Sequence, residues 1–206
     1  VYGLSATPLA QGGDVFWFFF TKKNPCLPAS LPGVAVTSYR DLRTGRLVLT
    51  PVAWGDLADL QALKGDPRVH AIMLGGVRTA QQAADDLAED IMFWGRYGVG
   101  MWAVRLADSG IFIGTVGLHQ RSDGRGIALR FVLTAAAQGR GYASEAAGAA
   151  LRFAHERAGL AVVVAVARES NIASRQVLGA IGMRESDSFL RDGGLVLVYE
   201  SLVRRQ

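Results

Sequence analysis

The chain carries one cysteine, so it cannot close a disulfide on itself. Cys26 stands in Pro25-Cys26-Leu27-Pro28 and reads as a plain free thiol of a reducing compartment, in a stretch too loop-like to poise a nucleophile. The three histidines, His70, His119 and His155, are far apart and follow no zinc-type spacing, so no metal site is expected. Long apolar runs are also lacking. Val15-Phe16-Trp17-Phe18-Phe19-Phe20 is much too short to span a bilayer, and no basic region precedes it as in a signal peptide. No membrane association and a cytoplasmic location are the resulting expectations. The net charge of +4 is mild and the basic residues are scattered, with no basic-aromatic run. That excludes an obvious nucleic-acid surface while leaving room for a small anionic ligand.

What is present is a globular composition. Of 206 residues, 50% are hydrophobic and 19% charged, enough for one domain with a full core. Residues 1–44 differ from the rest. They carry Gly, Pro and Ser clusters and one aromatic burst without a sustained period, and read as a flexible arm, an added edge strand or an extension. The domain proper is expected over 45–206.

From Arg46 the patterns become regular. Residues 46–51 alternate like a first strand, and Asp56 fits the N-cap of a short helix through Leu63. Thr79-Ala80-Gln81-Gln82 has the form of a capping box opening a helix to Tyr97, with Leu87, Ile91 and Trp94 on one face. Strands are predicted at 101–105, 111–118 and 127–133, separated by Asp108-Ser109-Gly110 and Ser122-Asp123-Gly124 turns. A helix over 143–158, a doubly buried strand over 161–166, a helix over 171–181 and two strands at 183–190 and 195–203 follow. No internal repeat is visible.

The most informative stretch is Gln138-Gly139-Arg140-Gly141-Tyr142-Ala143-Ser144, at the junction of a strand and an Ala-rich helix. Two glycines let a ligand approach the backbone, and the first N–H groups of the helix are unpaired, which suits a phosphate or pyrophosphate. Two ligand readings compete. Gly139-x-Gly141 is half of a dinucleotide fingerprint, with Glu169 beyond the next strand, which would make the chain an NAD-binding oxidoreductase. Against it, Ser144 takes the third glycine position and the loop comes late in the chain, whereas a doubly wound domain needs it near its start.

The other reading is a coenzyme A site. Gln138-x-x-Gly141-x-Ala143 resembles the Gln/Arg-x-x-Gly-x-Gly/Ala signature of the GNAT superfamily of acetyl-CoA-dependent N-acetyltransferases. Gly141-Tyr142-Ala143-Ser144-Glu145-Ala146, Asn171-Ile172-Ala173-Ser174 and Ile181-Gly182-Met183 look like the corresponding runs of its RimJ/RimL-like branch. The resemblance covers roughly residues 46–204 in matching element order. It implies an α/β (α+β) fold with a mostly antiparallel, centrally splayed sheet of about seven strands and helices on both faces. The activity it implies is acetyl transfer to a primary amine of a protein N-terminus or small molecule, by direct attack in a ternary complex. The partner would be that amine acceptor, and the protein a monomer or homodimer.

The resemblance also implies roles. Gly139, Arg140, Gly141 and Ala143 would hold the pyrophosphate, with Gln138, Tyr142 and Ser144 beside them. Val132 and Leu133 would meet the pantetheine and acyl oxygen through their backbone, and Asn171 would bind the pantetheine amide. Ser174 would donate to the departing sulfur, with Tyr199 as a second candidate. One departure stands out. Relatives often carry a Glu on the strand before the loop, where this chain has Ala128, and Arg130 stands where a small residue is common. His119 then becomes the candidate base, its ordinary pKa suiting proton transfer near neutrality, unless it is an exposed hairpin residue. The same departure leaves open a non-catalytic acyl-CoA sensor or scaffold. His70 and His155 fall on segments where solvated positions are expected. Asp85, Asp86, Glu89 and Asp90 form an acidic cluster that is either a solvated face or a recognition site for a cationic amine.

Overall fold

The computed structural model describes residues 39–203 except Ile72 and Leu74. The aromatic burst, Cys26 and most of the expected arm lie outside the described residues. The elements run β1 (Leu42–Arg43), β2 (Leu47–Pro51), α1 (Leu57–Gly65), α2 (Pro67–His70), α3 (Ala80–Tyr97), β3 (Met101–Leu106), β4 (Phe112–Gln120), β5 (Ile127–Leu133), α4 (Tyr142–Arg152), β6 (Val162–Arg168), α5 (Ile172–Ala180), β7 (Arg184–Arg191) and β8 (Gly194–Leu202).

The strands form one sheet in the order β1-β2-β3-β4-β5-β6-β8-β7. Among the described residues it has eight strands, one more than expected, because Leu42 and Arg43 pair with Leu49 and Val48. The sheet therefore begins inside the stretch read as an arm. Every pairing is antiparallel except β5 with β6, which touch at a single parallel bridge, Ala128 with Val164. By contrast β4 follows β5 from Gln120–Ile127 to Gly114–Leu133. Beyond the bridge β5 and β6 diverge, and the sheet splays at its centre. Helix α4 is the crossover that a parallel pair requires.

Helices cover both faces. On one, α1 and α3 bring Leu60 and Leu87 against Met101 and Ala103. On the other, α4 and α5 bring Ala146, Ala150 and Leu178 into the larger core with Trp102, Leu118 and Leu129. Burial of such side chains, worth roughly 1.5–3 kcal/mol each for the larger ones, fixes the register. A one-residue slip of β2 would replace its buried Leu47 and Leu49 with Val48 and Thr50. Helix α3 starts as its sequence predicts. Thr79 Oγ1 accepts from Gln82 N at 3.2 Å while Gln82 Oε1 accepts from Thr79 N at 2.9 Å. Asp56 stands just before α1, but its carboxylate does not cap that helix. It accepts from Ala53 N at 2.8 Å and pairs with Arg105 at 2.6 Å. Helix α4 ends early and widens into a π turn over Phe153–Arg157. Among the described residues, no helix is long and apolar enough to cross a membrane.

Candidate functional site

The splay opens a cavity of about 390 Å³ that reaches from the divergent ends of β5 and β6 to α1 and α3. Its walls include Arg130 and Val132 from β5, Val166 and Arg168 from β6, and Asn171 and Ser174 from the start of α5. A volume of this order suits part of a small molecule.

Along β5 the backbone groups divide between the two sides. Thr134 N donates to Ile113 O at 2.9 Å across the β4 side. Antiparallel pairing alternates direction along a strand, so Val132 also faces β4, and Phe131 and Leu133 face the gap. This corrects the expectation for Val132. Its amide belongs to the ladder with β4, and its side chain packs with Leu63 and Val69 in the cavity wall. The Leu133 and Phe131 amides point away from β4, into the gap.

The glycine loop follows directly. Gly139 and Gly141 have φ of +74° and +76°, a left-handed backbone that suits glycine. Gly141 is the N-cap of α4, and the first helical bond runs from Glu145 N to Gly141 O at 3.2 Å. The N–H groups of Tyr142, Ala143 and Ser144 therefore stand ahead of the helical ladder, at the positive end of its dipole. Gln138 Nε2 donates to Leu133 O at 3.2 Å and ties the loop to the end of β5. Gly139 has nothing within 4 Å of where a Cβ would stand, so the loop is open on that side.

One feature of this cradle is not visible in the sequence. Arg46, in the turn between β1 and β2, donates through Nη1 to Arg140 O at 2.9 Å, and its guanidinium lies 4.6 Å from the centre of the Tyr142 ring. Glu145 receives Arg46 Nε at 2.7 Å, Arg46 N at 2.9 Å and Thr44 Oγ1 at 2.5 Å. Desolvation works against the charge on Glu145, but these donors together hold its pKa below the ordinary glutamate value. The Arg46 guanidinium balances the charge of Glu145 at the start of α4.

Of the expected catalytic side chains, Ser174 and His119 line the cavity and Tyr199 does not. Tyr199 is buried in the core on the α4 and α5 face, and its hydroxyl is 3.4 Å from Arg175 Nε. Asn171 Oδ1 accepts from Ser174 N at 3.1 Å, so its carbonyl caps α5 and its amide NH₂ is what it can offer a ligand.

His119 stands across from Ala128 on β4, but it is neither an exposed hairpin residue nor a good base. Burial, then the charges of Arg130 and Arg121, push its pKa down to about 3. A group so weakly basic holds a proton poorly at neutral pH. His70 also corrects its expectation. It is buried in the cavity wall, with its pKa lowered chiefly by burial. His70 Nε2 and His119 Nδ1 are buried atoms with no hydrogen-bond partner among the described residues. His155 is held by Leu160 O at 2.6 Å and Ser201 Oγ at 2.9 Å, a structural role in place of a solvated one.

The acidic cluster on α3 splits by helical spacing. Asp85 and Glu89 face away, while Asp86 and Asp90, four residues apart, line the cavity. Asp86 is engaged by Lys64 Nζ at 2.8 Å and Arg78 Nε at 3.5 Å, which outweigh its desolvation and lower its pKa. Asp90 is 4.0 Å from Arg130 Nη2, and burial raises its pKa. It is thus a stronger base than an ordinary carboxylate, and the sequence carries no signal that singles it out from its neighbours.

A sheet with one parallel pair at its centre is not a doubly wound dinucleotide fold, so the oxidoreductase reading fails. Known structures point the same way. The chain is similar to an acetyltransferase from Agrobacterium tumefaciens at 28% identity, covering 87% of this chain and 99% of that one with a TM-score of 0.70. It is similar to a putative GNAT-family acetyltransferase from Bordetella pertussis at 27% identity, covering 78% and 98% with a TM-score of 0.68. RimL, a ribosomal L7/L12 alpha-N-protein acetyltransferase solved in complex with coenzyme A, shares the fold at 14% identity, 78% and 96% coverage and a TM-score of 0.66. Residues 46–184 match the family model described as Acetyltransferase (GNAT) domain, and the chain therefore belongs to the GNAT family of acetyltransferases.

Proposed function

We propose that the protein transfers an acetyl group from acetyl-CoA to a primary amine by direct attack in a ternary complex. The observation that carries this is the cavity through the splayed sheet, which meets Ser174 on its β6 side and Asp90 on its α3 side. The loop fits the cofactor's pyrophosphate: two left-handed glycines, three N–H groups ahead of the helical ladder and the Arg46 guanidinium converge there. Gln138 to Ser144 would hold that part, and Asn171 and the gap-facing amides of Phe131 and Leu133 the pantetheine arm. Bound acetyl-CoA supplies an activated thioester carbonyl.

This chain's residues do the rest. Free amines are mostly protonated at neutral pH, so a group must take a proton before attack. Asp90 does so, its burial raising its basicity while the nearby Arg130 favours the carboxylate form. It thereby replaces both the Glu missing at Ala128 and the weakly basic His119. The Leu133 amide stabilises negative charge developing on the acyl oxygen. As nitrogen bonds to the acyl carbon and the carbon–sulfur bond breaks, the Ser174 hydroxyl donates to the leaving sulfur. The nitrogen's second proton leaves with the thiol.

A panel of amines with acetyl-CoA and a free-thiol readout tests the reading. Amine-dependent thiol release supports it. CoA binding without release for any amine would return the protein to a sensor or scaffold role. RimL, whose name gives a protein N-terminus as acceptor, shares too little sequence to carry its acceptor over.

A further inference from the structure

We infer that the acceptor is a small amino acid, its carboxylate held by Arg130 and its amine by Asp90. The inference rests on the acetyl-transfer reading and deepens it. Lys64 of α1, Arg78 before α3 and Arg130 of β5 line the cavity together with Asp86 and Asp90 of α3. Lys64 and Arg78 are both committed to Asp86. Arg130 and Asp90 are neighbours at 4.0 Å, close enough to balance charge and too far to share a hydrogen bond. Both therefore keep donors and acceptors for a ligand. A guanidinium beside a carboxylate is the charge complement of an ammonium beside a carboxylate, the arrangement an α-amino acid carries.

The wider wall agrees. Arg121, Arg168 and Arg191 also line the cavity, and their ion-pair partners are Asp123 for the first and Asp192 shared by the other two. The cations still outnumber the carboxylates among the described residues, so the cavity disfavours a polyamine and favours an acceptor that brings its own negative charge. Arg130 is the cation common to the interior. Its field reaches His70, His119, Asp86 and Asp90. The buried, unpartnered nitrogens His70 Nε2 and His119 Nδ1 lie on imidazoles in the same wall, polar groups whose burial would cost less with a polar ligand beside them.

The test compares four acceptors at fixed acetyl-CoA: a panel of free amino acids, the matching amino-acid amides, spermidine, and a short peptide with a free N-terminus. At least one free amino acid should exceed its amide in kcat/KM by about tenfold or more, and Arg130→Gln should narrow that acid-to-amide ratio by a similar factor. Preference for the amides, spermidine or the peptide in the unaltered enzyme would overturn the inference while leaving acetyl transfer intact. A folded Arg130→Gln enzyme with an unchanged ratio would overturn it too. CoA binding with no turnover of any of the four would remove the acetyl-transfer reading and this one with it.

Discussion

Arg46 joins Glu145 to Arg140 O, so a residue of the β1–β2 turn braces the glycine loop from outside the loop. The contact links segments far apart in sequence and sets the direction of one loop carbonyl. Arg46→Ala should weaken CoA binding about 5–10-fold, the scale of one charge-assisted hydrogen bond. Calorimetric titration with CoA checks this. An unchanged affinity in a folded variant would mean that the loop holds its shape unaided.

Asp90→Asn keeps shape and removes the proposed proton acceptor. General-base loss typically lowers rate about 10²–10⁴-fold, and the loss should fall on kcat with CoA affinity retained. His119→Ala, by comparison, should leave the pH–rate profile in place, because a group with a pKa of about 3 has no titration near neutrality to lose. A profile that moves in His119→Ala and stays in Asp90→Asn would reverse the assignment.

His119 also gives a pH dependence of stability. Its pKa is about 3 in the fold against an ordinary histidine value of 6.5, so between these values the unfolded chain binds a proton that the folded one refuses. Stability is then present above pH 6.5 and lost as pH falls toward 3. At about 1.4 kcal/mol per pH unit, His119 contributes about 2 kcal/mol of loss between about pH 7 and pH 5. Urea unfolding of His119→Gln at the two pH values should show a loss smaller by that amount. An equal loss would mean that another group, His70 being shifted in the same direction, carries the dependence.

Much of this is legible in the sequence, and the gaps have physical causes. The strands around the Asp108 and Asp123 turns lie within about two residues of their predicted ends, because alternation and turn chemistry are local. The Thr79 capping box is readable from four residues and forms as the pattern predicts. The glycine loop is legible because its left-handed positions leave glycine as the residue of choice. What stays hidden depends on contacts distant in sequence. Leu42–Arg43 is too short to show a period, and α2 is a single turn set by Asp66 and Pro67. Nothing local to His70 or His119 tells that the cavity wall desolvates them. Asp90 differs from Asp85 and Glu89 by the side of α3 it occupies, and from Asp86 by the cation that arrives from another element, Arg130 in place of Lys64 and Arg78.

The central claim is that the Gly139–Ser144 cradle binds the cofactor from which the acetyl group is transferred. Gly141 has a φ of +76°, and a side chain there would meet Arg46 Nη2 3.5 Å from its Cβ. Gly141→Asp adds left-handed strain of roughly 1–2 kcal/mol and sets a carboxylate against a pyrophosphate. The most direct measurement is calorimetric titration of CoA into the unaltered protein and into folded Gly141→Asp. The account predicts saturable binding in the first and binding weakened at least about a hundredfold in the second. Equal affinity in both would contradict it, by placing the cofactor somewhere other than this loop.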